Sequence, residues 1–211
     1  MPNLALINFI DMKTLILCLL FLAGAGHLNT TKHDANKNAS PVSILKVDVS
    51  ASMVDWHITK ITGKHDGTLK VYTGQLSVQN HRLKAGIVLL DMNTIAVTDL
   101  MVPDKQKLEA NLKGDNFFDT GRFTVARFDF TSVEYSGKDS SLVTVAGILN
   151  LHGITKNVRF KAKIFKADKE ALIARSDLAI NRRDWNIATG NFKYDRLISP
   201  TITLHIVLRA S

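Results

Sequence analysis

The sequence is poorest in cysteine. Its single Cys18 lies inside the apolar run "TLILCLLFLAGAG", Thr14 to Gly26. If that run is removed, the remaining chain has no disulfide, no thiolate nucleophile and no thiolate metal site. Cys18 does not follow a small residue, as a lipid-modified cysteine normally does. The chain also lacks an apolar run of the roughly 20 residues that a membrane-spanning helix needs. Runs of five or six like charges are missing, as are RRM-like and zinc-finger spacings, so no nucleic-acid module is indicated. There is no GxSxG, no phosphate loop and no dinucleotide fingerprint. His57, His65, His81, His152 and His205 form no metal pair at i,i+2 or i,i+4 with a nearby carboxylate. No internal repeat occurs.

What is present begins with a leader pattern. Met12-Lys13 precedes about ten apolar residues and then small ones, the layout of a secretory signal peptide. Residues 1–26 are therefore expected to be a signal peptide, with Met12 as an alternative start. Export to a bacterial periplasm or beyond follows. Residues 27–43, "HLNTTKHDANKNASPVS", hold almost no large apolar side chain and are expected to form a disordered tether. The folded domain should then run over 44–211, long enough for one real core.

Hydrophobic residues make up 45% and charged residues 22%, an ordinary globular balance. Twenty-seven basic against 19 acidic residues give +8. That excess favours anionic partners, but the cations are spread singly and read first as a solvated basic surface.

Period-two alternation dominates the domain. Val158, Phe160, Ala162 and Ile164 share one phase against Asn157, Arg159, Lys161 and Lys163. Ile202, Leu204, Ile206 and Leu208 repeat the pattern, as do Ala174, Ser176, Leu178 and Ile180. Val54, Trp56 and Ile58 mark an early strand, and Val143, Val145, Leu149 and Leu151 another. Turn signals stand at "GKHDG" (63–67), "SGKDS" (136–140) and "KADKEA" (166–171). Many antiparallel strands joined by short turns predict an all-β sandwich or barrel. One short helix is predicted after Pro103, with Asp104 at its positive end, Leu108 and Leu112 four apart, Lys113 near its end and Gly114 as its stop.

Three stretches draw the eye as sites. In "LNLHGITKNVRF" (149–160), His152 and Lys156 sit at a polar corner where Gly153 supplies backbone freedom. The corner reads as a hairpin turn rather than a catalytic pair, because no orienting partner is apparent. In "GDNFFDTGRFTVARFDF" (114–130), Phe117 and Phe118 follow the helix, and Phe123, Phe128 and Phe130 the next strand; they read as core aromatics. In "NRRDWNI" (181–187), Arg182 falls in phase with Leu178 and Ile180. Such an arginine must either pair, with Asp184 the nearest candidate, or stand where the interior meets water and hold a head group.

Together these stretches resemble the YceI family. Leu149, Leu151, His152, Gly153, Thr155 and Lys156 match its strand–turn–strand motif. Phe117, Phe118, Asp119, Phe123, Ala126 and Phe128 match its segment after the helix, and Asn181, Arg182, Asp184 and Trp185 its late motif. The departures are Thr124 and Asn157, where the family often has proline, and Asn186, where it often has glycine. The resemblance covers about 44–211. It implies a secreted antiparallel lipocalin-like β-barrel of about eight strands with one short helix, binding a polyisoprenoid or similar lipid.

On that basis the expected lipid-binding cavity comprises Val54, Trp56, Ile58, Phe117, Phe118, Leu149, Leu151, Val158, Phe160, Ala162, Ile164, Leu178, Ile180, Ile202, Leu204 and Ile206. His152, Lys156, Arg182, Asp184 and Trp185 are expected at its mouth. No catalytic residue, metal or cofactor is expected beyond the bound long-chain lipid. Expected partners are that amphiphile, a membrane surface and a second copy in a homodimer, with no nucleic acid. Two alternatives remain at this stage: an enzyme acting on a lipid or isoprenoid, and a packed stress or adhesion module that binds none.

Overall fold

A computed structural model of the chain describes residues 40–137, 139–188 and 192–211. The leader (1–26) and residues 27–39 of the tether lie outside the described residues.

The domain is a closed antiparallel barrel. Its strands are β1 (Ser43–Lys46), β2 (Met53–Lys60), β3 (Gly63–Gln79), β4 (Arg82–Val97), β5 (Val125–Tyr135), β6 (Leu142–Leu151), β7 (Ile154–Ala167), β8 (Leu172–Asn181) and β9 (Ile198–Ala210). From β2 to β9 each strand pairs with the next, and β9 returns to β2. Each of these eight strands thus has a partner on both sides, although β7 and β8 pair only from Ala162 and Ser176 to Ala167 and Leu172, and β4 and β5 only over Ile87–Asp91 and Val125–Asp129. β1 continues the line of β2 along β3, with Leu45 opposite Leu76, and Val47 bridges to Ala210.

Alternation explains the inward faces. Along β6, Val143, Val145, Leu149 and Leu151 are buried while their neighbours are not. β3 and β4 are longer and less regular. The register of β3 against β4 shifts at three places, and its buried residues change from Gly67, Leu69 and Val71 to Gly74, Leu76 and Val78. "GKHDG" is therefore not a turn, as the sequence suggested, but the start of β3. The turn is Ile61–Thr62, closed by the pair Lys60 and Gly63.

The predicted helix is α1, Asp104–Lys113, ending at Gly114. It packs on β4, with Leu112 buried and the Val97 N–H donating to Glu109 Oε1 at 2.8 Å. The connection from β8 to β9 holds a 3-10 turn, Arg182–Trp185, and the short α2, Phe192–Asp195. Both helices, this turn and the β2–β3 and β6–β7 hairpins all join strands at one end of the barrel.

Candidate functional site

The barrel interior is lined by apolar side chains but is not packed solid. One void of about 80 Å³ reaches from Leu83, Leu172 and Leu208 to the middle of the barrel. Ser176 is the one polar residue of its lining among the described residues. A second void of about 60 Å³ continues toward the helix-bearing end. Leu90, Ala126, Leu149 and Leu204 line both, so the two voids adjoin end to end along one narrow apolar lumen that these side chains divide. Phe128, Phe130, Phe160, Leu204 and Ile206 face this lumen and keep partial exposure. A core at crystal-like density would leave them none.

At the helix-bearing end the lumen meets an open vestibule of about 730 Å³. Trp56, Ile58, Leu112 and Phe117 line both sides of the junction. The outer wall is polar: Lys60 and His65 from the β2–β3 hairpin, Asn111, Asp115 and Asn116 around the end of α1, and Tyr194 of α2.

Most of the residues expected in the cavity line this lumen. Val54, Leu149, Phe160, Ala162, Ile164, Leu178, Leu204 and Ile206 line the inner void. Trp56, Ile58, Phe117, Phe118, Leu151 and Ile202 line the one nearer the vestibule. Val158 and Ile180 line neither and join the surrounding core. Both lie beyond the pair Ala162 and Ser176, past which no β7–β8 pairing is formed among the described residues.

The expected mouth residues need correction. Arg182 is fully buried, and its partner is Asp195 rather than Asp184, which is exposed. Its five N–H donors meet five acceptors: Ser199 O (3.0 Å), Ile187 O (2.7 Å), Asp195 Oδ1 (2.6 Å), Asp195 O (3.2 Å) and Ile198 O (3.3 Å). Nothing remains for a head group, and the arginine ties the β8–β9 connection together. Trp185 is also buried, its indole N–H reaching Leu149 O at 3.4 Å.

His152 and Gly153 form the two-residue hairpin turn, both at positive φ (51° and 72°). His152 Nδ1 lies 3.0 Å from Trp185 O and donates to it, and its ring packs edge-on against Phe123. Lys156 is exposed on β7. Asn186 adopts φ 54°, which explains a glycine-like position filled by asparagine, a residue that tolerates the left-handed region.

Sequence reasoning missed the vestibule. One signal was available. Lys60 continues the inward phase of Val54, Trp56 and Ile58, so the inner face of β2 ends in a cation.

A family model described as a YceI-like domain matches residues 45–210. A UPF0312 protein of Pseudomonas putida is 29% identical over 112 residues, 53% of this chain and 55% of that protein. A UPF0312 protein of Shewanella denitrificans is 30% identical over 96 residues, 46% of this chain and 47% of that protein. The chain thus spans about half the length of the curated relatives it matches. Among solved structures, Burkholderia cenocepacia BcnA superimposes with a TM-score of 0.68 at 17% identity, covering 78% of this chain and 99% of that one. A polyisoprenoid binding domain from Saccharophagus degradans, implicated in plant cell wall breakdown, gives 0.58 at 17% identity, covering 81% and 99%. At such identities the likeness is one of fold.

Proposed function

The chain belongs to the family defined by the YceI-like domain, and from that premise we propose that it holds a long-chain isoprenoid or similar amphiphile in its lumen, for carriage or storage, without catalysing a reaction on it. A location outside the cytoplasm, in the periplasm or beyond, is part of the proposal and rests on the leader pattern of residues 1–26 alone. The observation that carries the reading is the apolar lumen, running from the vestibule past Leu90, Ala126, Leu149 and Leu204 to Leu208.

The shape of the lumen suits a thin chain. From Ile202 to Leu208, β9 covers roughly 20 Å at about 3.3 Å per residue. The voids are far smaller than the roughly 300 Å³ of a pocket for a bulky drug-sized ligand. A single prenyl chain would follow such a path only if Phe128, Phe130 and Phe160 turn their rings to admit its methyl branches. Each buried methylene contributes about 0.8 kcal/mol. Ten carbons therefore offer roughly 8 kcal/mol before the costs of association. An exposed ion pair adds only about 0–1 kcal/mol, so the tail governs affinity and polar groups govern orientation.

The test is native mass spectrometry of protein purified from its own host, followed by solvent extraction and titration with farnesol. A co-purifying long-chain lipid and saturable farnesol binding are expected. Phe160→Asp, which puts a charge in the lumen, and Ala126→Phe, which blocks its middle, should both abolish retention while circular dichroism still reports the barrel. A bare chain mass with no farnesol binding would overturn the reading.

A further inference from the structure

The inner face of the β2–β3 hairpin carries a chain of polar contacts that the fold does not need for closure. Lys60 Nζ lies 2.8 Å from His65 Nε2, and His65 Nδ1 lies 2.9 Å from Asp99 Oδ2. An ammonium can only donate. His65 Nε2 therefore accepts from Lys60, and its Nδ1 carries the proton that Asp99 accepts. Asp99 thus fixes the tautomer and orientation of the imidazole, and the imidazole positions Lys60.

Lys60 and His65 both line the vestibule, beside Trp56 and Ile58 where it opens into the lumen. Lys60 is half-buried and has no carboxylate within ion-pair distance among the described residues. Of its three donors, one is spent on His65 and two are left for the vestibule. The pairing of β2 with β9 slips between Ile58 and Lys60, with Pro200 in the extra stretch of β9. A slip of this kind re-aims a side chain at a barrel rim. Asn111, Asn116 and Tyr194 add neutral polar groups on the opposite wall, and Asp115 is the carboxylate of that wall.

We propose that Lys60, held by the His65–Asp99 pair, is the head-group site of the vestibule and selects lipids ending in an oxyanion, phosphate or carboxylate, over neutral ones. The proposal rests on the lumen holding the tail. A head group seated at Lys60 leaves its chain beside Trp56 and Phe117, the residues that line the entry to the lumen. His65 and Asp99 act as positioning residues, while Lys60 makes the contact.

The test compares the affinities of farnesyl phosphate, farnesol and inorganic phosphate by calorimetry. Wild-type protein should bind farnesyl phosphate roughly tenfold or more tightly than farnesol, the worth of one charge-assisted hydrogen bond. Lys60→Met should erase that ratio by weakening farnesyl phosphate roughly tenfold while farnesol still binds, Lys60→Arg should keep most of it, and His65→Ala should reduce it partly. A misfolded variant would lose farnesol as well, which separates folding from selection. Equal wild-type affinity for the two prenyl ligands, or a ratio untouched in Lys60→Met, would overturn the head-group site and leave the lumen standing. No binding of either prenyl ligand would overturn the lumen reading itself. Tight binding of inorganic phosphate alone would overturn the assignment to a lipid head group.

Discussion

Two cations, Arg182 and Lys60, sit at the same end of the barrel and have opposite surroundings. Arg182 is wholly buried, with every donor matched to a carbonyl or carboxylate of the β8–β9 connection. Lys60 is half-buried beside a large open space, with one imidazole nitrogen as its partner. The difference separates a charge that builds the wall from a charge that faces a guest. Enclosure alone does not mark a binding group; leftover hydrogen-bonding capacity beside open volume does.

The contrast can be broken from the structural side first. Arg182→Met removes the guanidinium and leaves the Asp195 carboxylate and several carbonyls without it. The expected loss is about 3–5 kcal/mol of stability, as when one partner of a buried ion pair is deleted. Urea unfolding measures it, and a loss under about 1 kcal/mol would show that Arg182 does not hold the connection. A smaller effect is expected at His152, the corner that touches Arg182's turn through Trp185 O. His152→Ala should cost about 1 kcal/mol, one neutral hydrogen bond, and leave farnesol affinity as it was. A change in farnesol affinity would return His152 to the mouth.

The smallest effect lies on the outer face of the hairpin that carries Lys60. There Asp66 accepts a hydrogen bond from His57 at 2.5 Å and also pairs with Lys64. The His57 contact, with a lesser one from Lys64, holds the Asp66 carboxyl below its ordinary value. A group lowered in the folded state stabilises the fold above its unfolded value of about 4, and that stability fades as pH falls through the lowered value. Asp66→Asn should therefore lower the melting temperature slightly at pH 7, and its difference from the unaltered protein should close as pH falls below about 4. The effect is slight because Asp66 is partly open to solvent. A difference that persists undiminished below about pH 4 would mean that Asp66 matters for packing rather than charge.

The strands that were easy to read share one property. β2, β6, β8 and β9 carry their buried large apolar residues in a single phase, and β7 keeps its apolar residues in one phase from Val158 to Ile164. β3 and β4 escaped notice because register slips break the phase. In β4 the buried positions run Leu83, then Val88 and Met92, then Ile95 and Val97. Each slip moves the apolar set from odd to even numbers or back, which destroys the alternation a reader counts. The lumen is legible to the same degree as its strands, which is why alternation points to Val54 and Phe160 but not to Leu76, Leu90 and Met92.

The mouth was less legible because it depends on pairings far apart in the chain. Asp184 is Arg182's neighbour in sequence, yet Asp195 is its partner, 13 residues on. His65 meets Asp99 across 34 residues.

Strand alternation was enough to say that antiparallel strands would bury one apolar phase, because a period-two pattern makes one face of each strand greasy, but a sandwich and a barrel both satisfy it, and only the family resemblance pointed to the barrel. The tertiary structure alone decided how wide the lumen is, where it opens and which cation is free to greet a ligand. Those depend on where slipped registers, a helix and a long connection come to rest, and on how many donors each side chain has left once they do.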